Sequence, residues 1–173
     1  MTAAEDGGWS DCPGCGARLP TSTYPLGRRW NASPACWELH TQVQAYELEH
    51  PWLLSRCLQL RVDTYAAQHS GDQTSALSLA FALIGLFLAL ERGASGLDVR
   101  NAHQKLARRN ITWPRLERPL SVGSLTVQAL ADVASPEAYA DQVQSWAADV
   151  WDAWGARHDE VAELVRQHLG KFS

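Results

Sequence analysis

The feature that most constrains the fold is an uncharged apolar run, ALSLAFALIGLFLAL, over residues 76–90. These fifteen residues are too few to cross a bilayer, because a membrane-spanning helix needs about 20. Asp72 precedes the run, and Glu91 and Arg92 close it. An apolar helix of this kind has no polar face to turn to water, so the sequence predicts a central helix that other helices surround. We expect Asp72 to cap this helix and Gly93 to end it.

Helical patterns dominate the rest of the chain. One helix is predicted from Pro34 up to Pro51, since proline fits the first turn of a helix and cannot continue one. A second is predicted from Pro51 to the Ser70-Gly71 breaker, and a shorter basic helix over residues 97–109. Almost no run alternates apolar and polar residues as a strand would. The sequence therefore predicts an all-α fold, a helical bundle of four to five main helices.

The last and longest helical pattern opens at Pro136. Its apolar residues recur every three or four positions, which predicts a buried stripe, and Gly155 is expected to break or bend the helix. Before it, a short helix is predicted to start near Ser124. The stripe consists of Tyr139, Val143, Trp146, Val150 and Trp154.

Residues 1–33 differ in composition from the remainder, because they are rich in Gly, Pro, Ser and Thr. Such a segment needs more than a hydrophobic core to become ordered. A chain of 173 residues fits one domain. We therefore predict an irregular cysteine-containing arm over 1–33 and a helical bundle over 34–173, which together form one domain.

The most specific motif is CPGCG, at residues 12–16. Two thiolates separated by two residues can hold one tetrahedral ion about 2.3 Å from each sulfur, and the glycines permit the tight turn. Cys36 follows after twenty residues, in the first turn of the first predicted helix. This spacing is found between the halves of zinc sites. We predict a zinc ion bound by Cys12, Cys15 and Cys36, whereas Cys57 is expected to pack as a small apolar residue.

The residues leave two choices for the fourth ligand. His40 lies four residues after Cys36, on the same helical face, so local geometry favours it. His69 ends the second predicted helix and can reach Cys36 if the two helices meet at one end of the bundle. Thiolates also hold iron, but three cysteines and one histidine with no further ligand signature favour zinc. A thioredoxin-like redox pair is disfavoured because the βαβ setting is absent.

The end of the second predicted helix carries the candidates for catalysis. Tyr65 and His69 share a helical face, whereas Asp63 points about 240° round the helix from His69. In a functional interpretation, His69 is a metal ligand or acid–base group that Tyr65 or Asp63 orients. In a structural interpretation, Asp63 is a buried cap or ion-pair partner and the helix dipole stabilises His69. The residues by themselves favour the structural interpretation.

The formal net charge of −4 argues against a protein that mainly binds nucleic acid or an anionic membrane. Residues 100–118 are locally basic, a pattern typical of a solvated face. The N-terminal sequence MTAAEDGGW lacks the basic region of a secretory signal, so we expect a cytoplasmic protein with reduced cysteines. We expect a small molecule or a protein as partner, and neither nucleic acid nor a membrane. The six basic residues of the stretch are Arg100, Lys105, Arg108, Arg109, Arg115 and Arg118.

Four segments carry a resemblance to a known family: CPGCG, SPACWELH at 33–40, VDTYAAQHSG at 62–71 and WAADVWDAW at 146–154. Over about residues 11–158 the chain resembles the bacterial domain-of-unknown-function family 5946. The resemblance implies no established activity. It favours His69 over His40 as the fourth ligand, because the matching residues are Cys12, Cys15, Cys36, Asp63, Tyr65, Gln68 and His69.

Three functional hypotheses follow. The first is a small soluble zinc-binding helical protein with a closed, mainly structural metal site and a binding or accessory role. The alternative is a metal-dependent enzyme with an open zinc position near Cys12, Cys15, Cys36 and His69, in which His69 or His40 acts as base and Asp63 and Tyr65 support it. The third, a module for an anionic partner, is disfavoured by the acidic C-terminal part of the chain.

Overall fold

The computed structural model describes residues 8–170, and within this range the chain is predominantly helical, as predicted. A two-stranded antiparallel hairpin precedes the helices, with β1 at Trp9–Asp11 and β2 at Arg18–Pro20. The residues on which the expected absence of a secretory signal rests lie largely outside the described range. The seven described helices are α1 (Pro34–Glu49), α2 (Pro51–Arg56), α3 (Leu58–Gln68), α4 (Ala76–Arg92), α5 (Gly96–Ala107), α6 (Pro136–Ala153) and α7 (His158–Leu169).

Helix α4 is the centre of the bundle, as its apolar composition predicts. It packs against α3, α5, α6 and α7, and its middle residues, including Leu83 and Ile84, are fully buried. Gly93 ends the helix in the left-handed conformation (φ 64°), which a glycine adopts without steric cost. The predicted cap at Asp72 is wrong, because the helix starts later and the Ser75 hydroxyl accepts a hydrogen bond from the Ser78 N–H.

The second predicted helix is divided into α2 and α3 at Cys57. The φ of Cys57 is −109°, away from the ideal helical value, and the regular helix is interrupted there. The Cys57 N–H still donates to the Leu53 carbonyl over 2.6 Å, and the Arg61 N–H donates to the Cys57 carbonyl. The interruption therefore keeps these hydrogen bonds, and both Leu53 and Cys57 are buried.

The C-terminal helices bury the predicted aromatic stripe. All five stripe residues are fully buried on α6 and at its end. A short 3-10 segment at Gly155–Arg157 separates α6 from α7, as the glycine predicts. Near Ser124 the chain forms only a 3-10 turn, Val127–Leu130, rather than a helix.

The arm is not wholly irregular, because the hairpin of β1 and β2 organises residues 9–20. Three-residue strands are too short to show an alternating pattern, which is why the sequence did not predict them. Cys12, Ala17 and Leu19 of this hairpin join the same apolar core as the bundle. Among the described residues, no helix combines the length and apolarity needed to cross a membrane.

Candidate metal centre

The hairpin turn presents two of the cysteines. The Cys12 N–H donates to the Ala17 carbonyl, and the Gly16 N–H donates to the Cys12 carbonyl, both over 2.8 Å. Gly16 has a φ of 75°, which favours glycine. At Gly14, a Cβ would overlap the backbone oxygen of Asn31. The turn therefore requires Gly16, and the close approach of Asn31 requires Gly14.

Cys36 and His69 come from the bundle. Cys36 lies in the first turn of α1, where its N–H donates to the Ser33 hydroxyl over 3.2 Å. His69 directly follows α3, and its Nδ1 lies 2.9 Å from the Tyr65 carbonyl. Because a carbonyl oxygen only accepts hydrogen bonds, Nδ1 carries a proton and donates a hydrogen bond to the Tyr65 carbonyl. The other nitrogen, Nε2, lies 3.3 Å from the Cys36 sulfur, and it is the nitrogen that a neutral imidazole in this tautomer would offer to a metal.

The four ligand atoms have the spacing of a tetrahedral site. The sulfurs of Cys12, Cys15 and Cys36 and a ring nitrogen of His69 lie within 4.8 Å of one another. In a tetrahedral zinc site with Zn–S of about 2.3 Å, two sulfurs are separated by about 3.8 Å and a sulfur and a nitrogen by about 3.6 Å. The observed separations are 3.8 Å for the Cys15 and Cys36 sulfurs and 3.3 Å for Cys36 and His69. The residues present therefore fit the metal.

Donors around the sulfurs favour negative charge at this position. The Ser33 N–H donates to the Cys12 sulfur over 3.4 Å, and the Tyr65 hydroxyl donates to the Cys36 sulfur over 3.6 Å. The guanidinium of Arg118 donates to the Gly14 carbonyl over 2.6 Å. Three thiolates and a divalent cation together carry one negative charge, which these donors and Arg118 stabilise.

The thiols compete for one negative charge when no cation balances them. Hydrogen bonds from Cys15 and then Cys36 lower the pKa of Cys12 far below its ordinary value. The same contact with Cys12 raises the pKa of Cys15 to about 12, and contacts with both other cysteines raise the pKa of Cys36. Cation binding would therefore release protons from the latter two thiols, so that metal affinity depends on pH.

His40, the alternative ligand, does not join this group. Its Nε2 lies 2.6 Å from Nη1 of Arg61, which can only donate, so this nitrogen acts as an acceptor. Burial, followed by the nearby Arg61 charge, lowers the pKa of His40 to about 3. Arg61 also pairs with the buried Glu47 over 2.9 Å, and Glu47 accepts from the Tyr139 hydroxyl. His40 thus belongs to a buried polar network beside the metal ligands.

Tyr65 separates the two histidines. Its ring centroid lies 3.8 Å from that of His69 and 3.9 Å from that of His40. Trp30 and Trp37 contact Tyr65 from its other sides. The tyrosine therefore fixes the orientation of His69 by stacking and contacts a second ligand, Cys36, through its hydroxyl.

Asp63 and Gln68 lie on other faces of α3. The Asp63 carboxylate accepts from Gln59 and faces Gly85 of α4, where a Cβ would overlap it. Gln68 donates to the carbonyls of Val122 and Leu125 and accepts from the Trp146 indole. Neither residue is among the four grouped ligands, and the catalytic role suggested for Asp63 stays a prediction.

Three residues that support the candidate site were not predicted as part of it. The Asn31 N–H donates to the His69 carbonyl over 3.1 Å, and its side chain reaches the Pro13 carbonyl. Ser33 and Arg118 contact the turn as described above. Arg118 is one of six basic residues in its stretch, and nothing in the sequence distinguishes it from the other five.

A CxxC hairpin joined to a helical bundle through a third cysteine and a histidine defines the class of this protein. The model of a family of unknown function, DUF5946, matches residues 10–155, and the chain belongs to this family. Comparisons with curated proteins and with solved structures found no match.

Proposed function

We propose that this is a zinc-binding helical protein whose metal is mainly structural, with a binding or accessory role toward a small molecule or another protein. The observation that carries the proposal is the spacing of the ligand atoms, since the 3.8 Å between the Cys15 and Cys36 sulfurs equals the edge of a zinc–thiolate tetrahedron. The ligands Cys12, Cys15, Cys36 and His69 complete this shell.

A complete shell of four protein ligands supports a structural role over a catalytic one. Catalytic zinc sites keep a position for water or substrate, whereas structural sites are closed. Cys12, Cys36 and His69 are buried, and only Cys15 is half-exposed. The alternative, an enzyme with an open zinc position, requires one of these four residues to leave the ion.

The metal would connect two parts of the chain. Cys12 and Cys15 belong to residues 1–33, and Cys36 and His69 belong to residues 34–173. One ion bound by all four would fasten the arm to the bundle, which supports our proposal that the two parts form one domain. The same four atoms could hold iron, but a closed group of three thiolates and one imidazole favours zinc.

The proposed partner is not nucleic acid, because the basic stretch is partly used inside the protein. Arg109 donates to the His168 carbonyl, and Arg115 lies near the carbonyls of Asp72 and Thr74. Arg118 donates to the Gly14 and Gln68 carbonyls. These three arginines contact the chain's own backbone, which leaves less of the stretch available to phosphates. A cytoplasmic location is part of the proposal, since reduced thiols suit metal binding.

The proposal is tested by elemental analysis and X-ray absorption spectroscopy on protein purified without a tag or chelator. The expected result is about one zinc per chain, bound by three sulfurs and one nitrogen at the distances of a closed site. Folded protein without metal, or with iron, would contradict the zinc assignment. An exchangeable oxygen ligand in place of a sulfur or the nitrogen would favour the enzyme.

A further inference from the structure

A cavity lies beside the face of α3 that carries Asp63. We propose that the cavity at Asp63 binds a small organic amine, whose cationic nitrogen pairs with the Asp63 carboxylate while its apolar body packs among Val62, Leu77 and Phe81. The site uses none of the metal ligands, so this inference goes beyond the structural role of the metal.

The cavity has the size and lining of a small-molecule site. Its volume is about 480 Å³, within the range of about 300–1,000 Å³ typical of ligand pockets. It lies between α3, α4 and α5, beside the segments at residues 29–30 and 73–75. Val62 and Leu77 expose 36% and 46% of their surface, which leaves apolar area for a ligand to cover. The apolar residues of the lining are Trp30, Val62, Ala66, Leu77 and Phe81.

Asp63 is the buried polar group of this cavity. It is 4% exposed, and both carboxylate oxygens accept from the Gln59 amide over 3.0 Å. No basic side chain in the described part of the chain forms an ion pair with it. A buried carboxylate without a counter-charge is costly, and burial accordingly raises the pKa of Asp63 well above its ordinary value. A ligand ammonium group would supply the missing positive charge.

The carboxyl group is also reached from a second cavity of about 390 Å³, which shares Gln59 and Asp63 with the first. Its walls include small residues such as Gly85, Ala89 and Gly93, and the Asp63 carboxylate packs directly against Gly85. Asp63 therefore lines both cavities, and the larger one is the side from which a ligand nitrogen would approach it.

The other ionisable groups that line the two cavities are Arg29, Arg56 and His103. The Arg29 guanidinium lies over the Trp30 ring, 4.9 Å from its centroid. His103 donates from Nε2 to the Phe81 carbonyl, and burial lowers its pKa, so it is neutral at pH 7. The apolar wall selects a ligand with an apolar body over a bare ammonium ion.

Proton balance gives the proposal a specific signature. At neutral pH the free amine is protonated, and burial raises the pKa of Asp63, which shifts its carboxyl group toward the protonated form. Binding forms a carboxylate–ammonium pair, so the Asp63 proton passes to the buffer. A neutral ligand of the same shape would release no proton.

The test is calorimetry at pH 7 on the metal-loaded chain with 2-phenylethylamine, 2-phenylethanol and phenylacetate as probes. We expect the amine to bind at least about tenfold more tightly than the alcohol or the acid. We also expect the binding enthalpy to change between two buffers of different ionisation enthalpy, as proton release requires.

Two variants and a matched control locate the site. Asp63→Asn removes the charge at constant size, and Ala66→Phe fills the cavity while keeping the carboxyl group. Each is expected to weaken amine binding at least about tenfold. Asp159→Asn makes the same chemical change at an exposed position on α7 and is expected to leave binding unchanged.

The proposal is overturned if the alcohol binds as tightly as the amine, or if the amine fails to bind at about 10 mM. Unchanged binding in Ala66→Phe would also overturn it, even if Asp63→Asn did not fold. Metal content measured on the same samples separates this outcome from a failure of the zinc proposal, because the cavity contains none of the metal ligands.

Discussion

The arm and the bundle are held in place by different forces. In the bundle, large side chains such as Leu83, Trp146 and Trp154 are fully buried. In residues 8–33, the buried side chains are all small or medium in size: Cys12, Ala17, Leu19, Ala32 and Ser33. Apolar burial scales with the area removed from water, so the bundle obtains far more stability from this source. We propose that the arm depends instead on the link to the bundle that a metal ion bound by Cys12, Cys15, Cys36 and His69 would make.

The largest predicted effect comes from breaking that link. Cys36→Ala removes a ligand, and we expect loss of the metal and a loss of stability on the order of several kcal/mol. Elemental analysis and thermal unfolding measure both.

Cys57→Ala is the matched control, because Cys57 is equally buried and lies outside the ligand group. It should keep its metal and cost about 1 kcal/mol. Equal metal loss in both variants would mean that the cysteine group is not the binding site.

The next prediction compares one glycine substitution in the arm with one in the bundle. Gly14→Ala would push a Cβ into the Asn31 backbone oxygen, so we expect loss of metal binding. Gly85→Ala would push a Cβ into the Asp63 carboxylate, so we expect destabilisation by about 1–3 kcal/mol with the metal retained. Chemical denaturation and metal analysis of both variants check this. Metal loss in Gly85→Ala would show that the regions are more strongly coupled than we describe.

Asp63→Asn tests the bundle through the pH dependence of its free energy of unfolding. The folded-state pKa of Asp63 is raised above the unfolded value of 3.8. Its stabilising contribution is therefore present below about pH 4 and lost as pH rises through the folded-state pKa. The asparagine variant lacks this loss, so its stability relative to the native chain should increase from pH 5 to pH 8. Urea unfolding across that range measures the difference, and a constant difference would contradict the buried, protonated carboxyl group.

The smallest predicted effect comes from substituting Arg118, which donates hydrogen bonds to backbone carbonyls of both the arm and α3. Arg118→Ala removes its hydrogen bonds to the Gly14 and Gln68 carbonyls and should cost about 1 kcal/mol. Faster proteolysis within residues 8–33 is the expected readout. Arg100→Ala, at an exposed position on α5, should leave the rate unchanged. Equal proteolysis rates in the two variants would show that Arg118 does not hold the arm in place.

Much of the bundle could be predicted because its signals are local. Pro34, Pro51 and Pro136 mark helix starts through a steric rule that acts within one turn, and the apolar run of α4 needs no tertiary information. The cysteine spacing is similarly local. These elements were predicted close to their observed bounds.

The remainder depends on contacts between distant residues. His69, and not His40, lies with the three cysteines, and no sequence spacing reveals the contact of Arg61 of α3 with Nε2 of His40. The bend at Cys57 interrupts a continuous helical pattern, and the strands of the hairpin are three residues long. Helical geometry predicts that Asp63 points away from His69, but its packing against Gly85 and its place in a cavity lining depend on α4.

The most direct test of the central claim is hydrogen exchange followed by mass spectrometry before and after the metal is removed with a chelator. We predict that peptides from residues 8–33 lose their protection on metal removal, while those from α4 and α6 keep most of theirs. Restoring zinc should restore the protection of the arm. Unchanged protection of residues 8–33 in metal-free protein would contradict the claim that the metal holds the arm to the bundle.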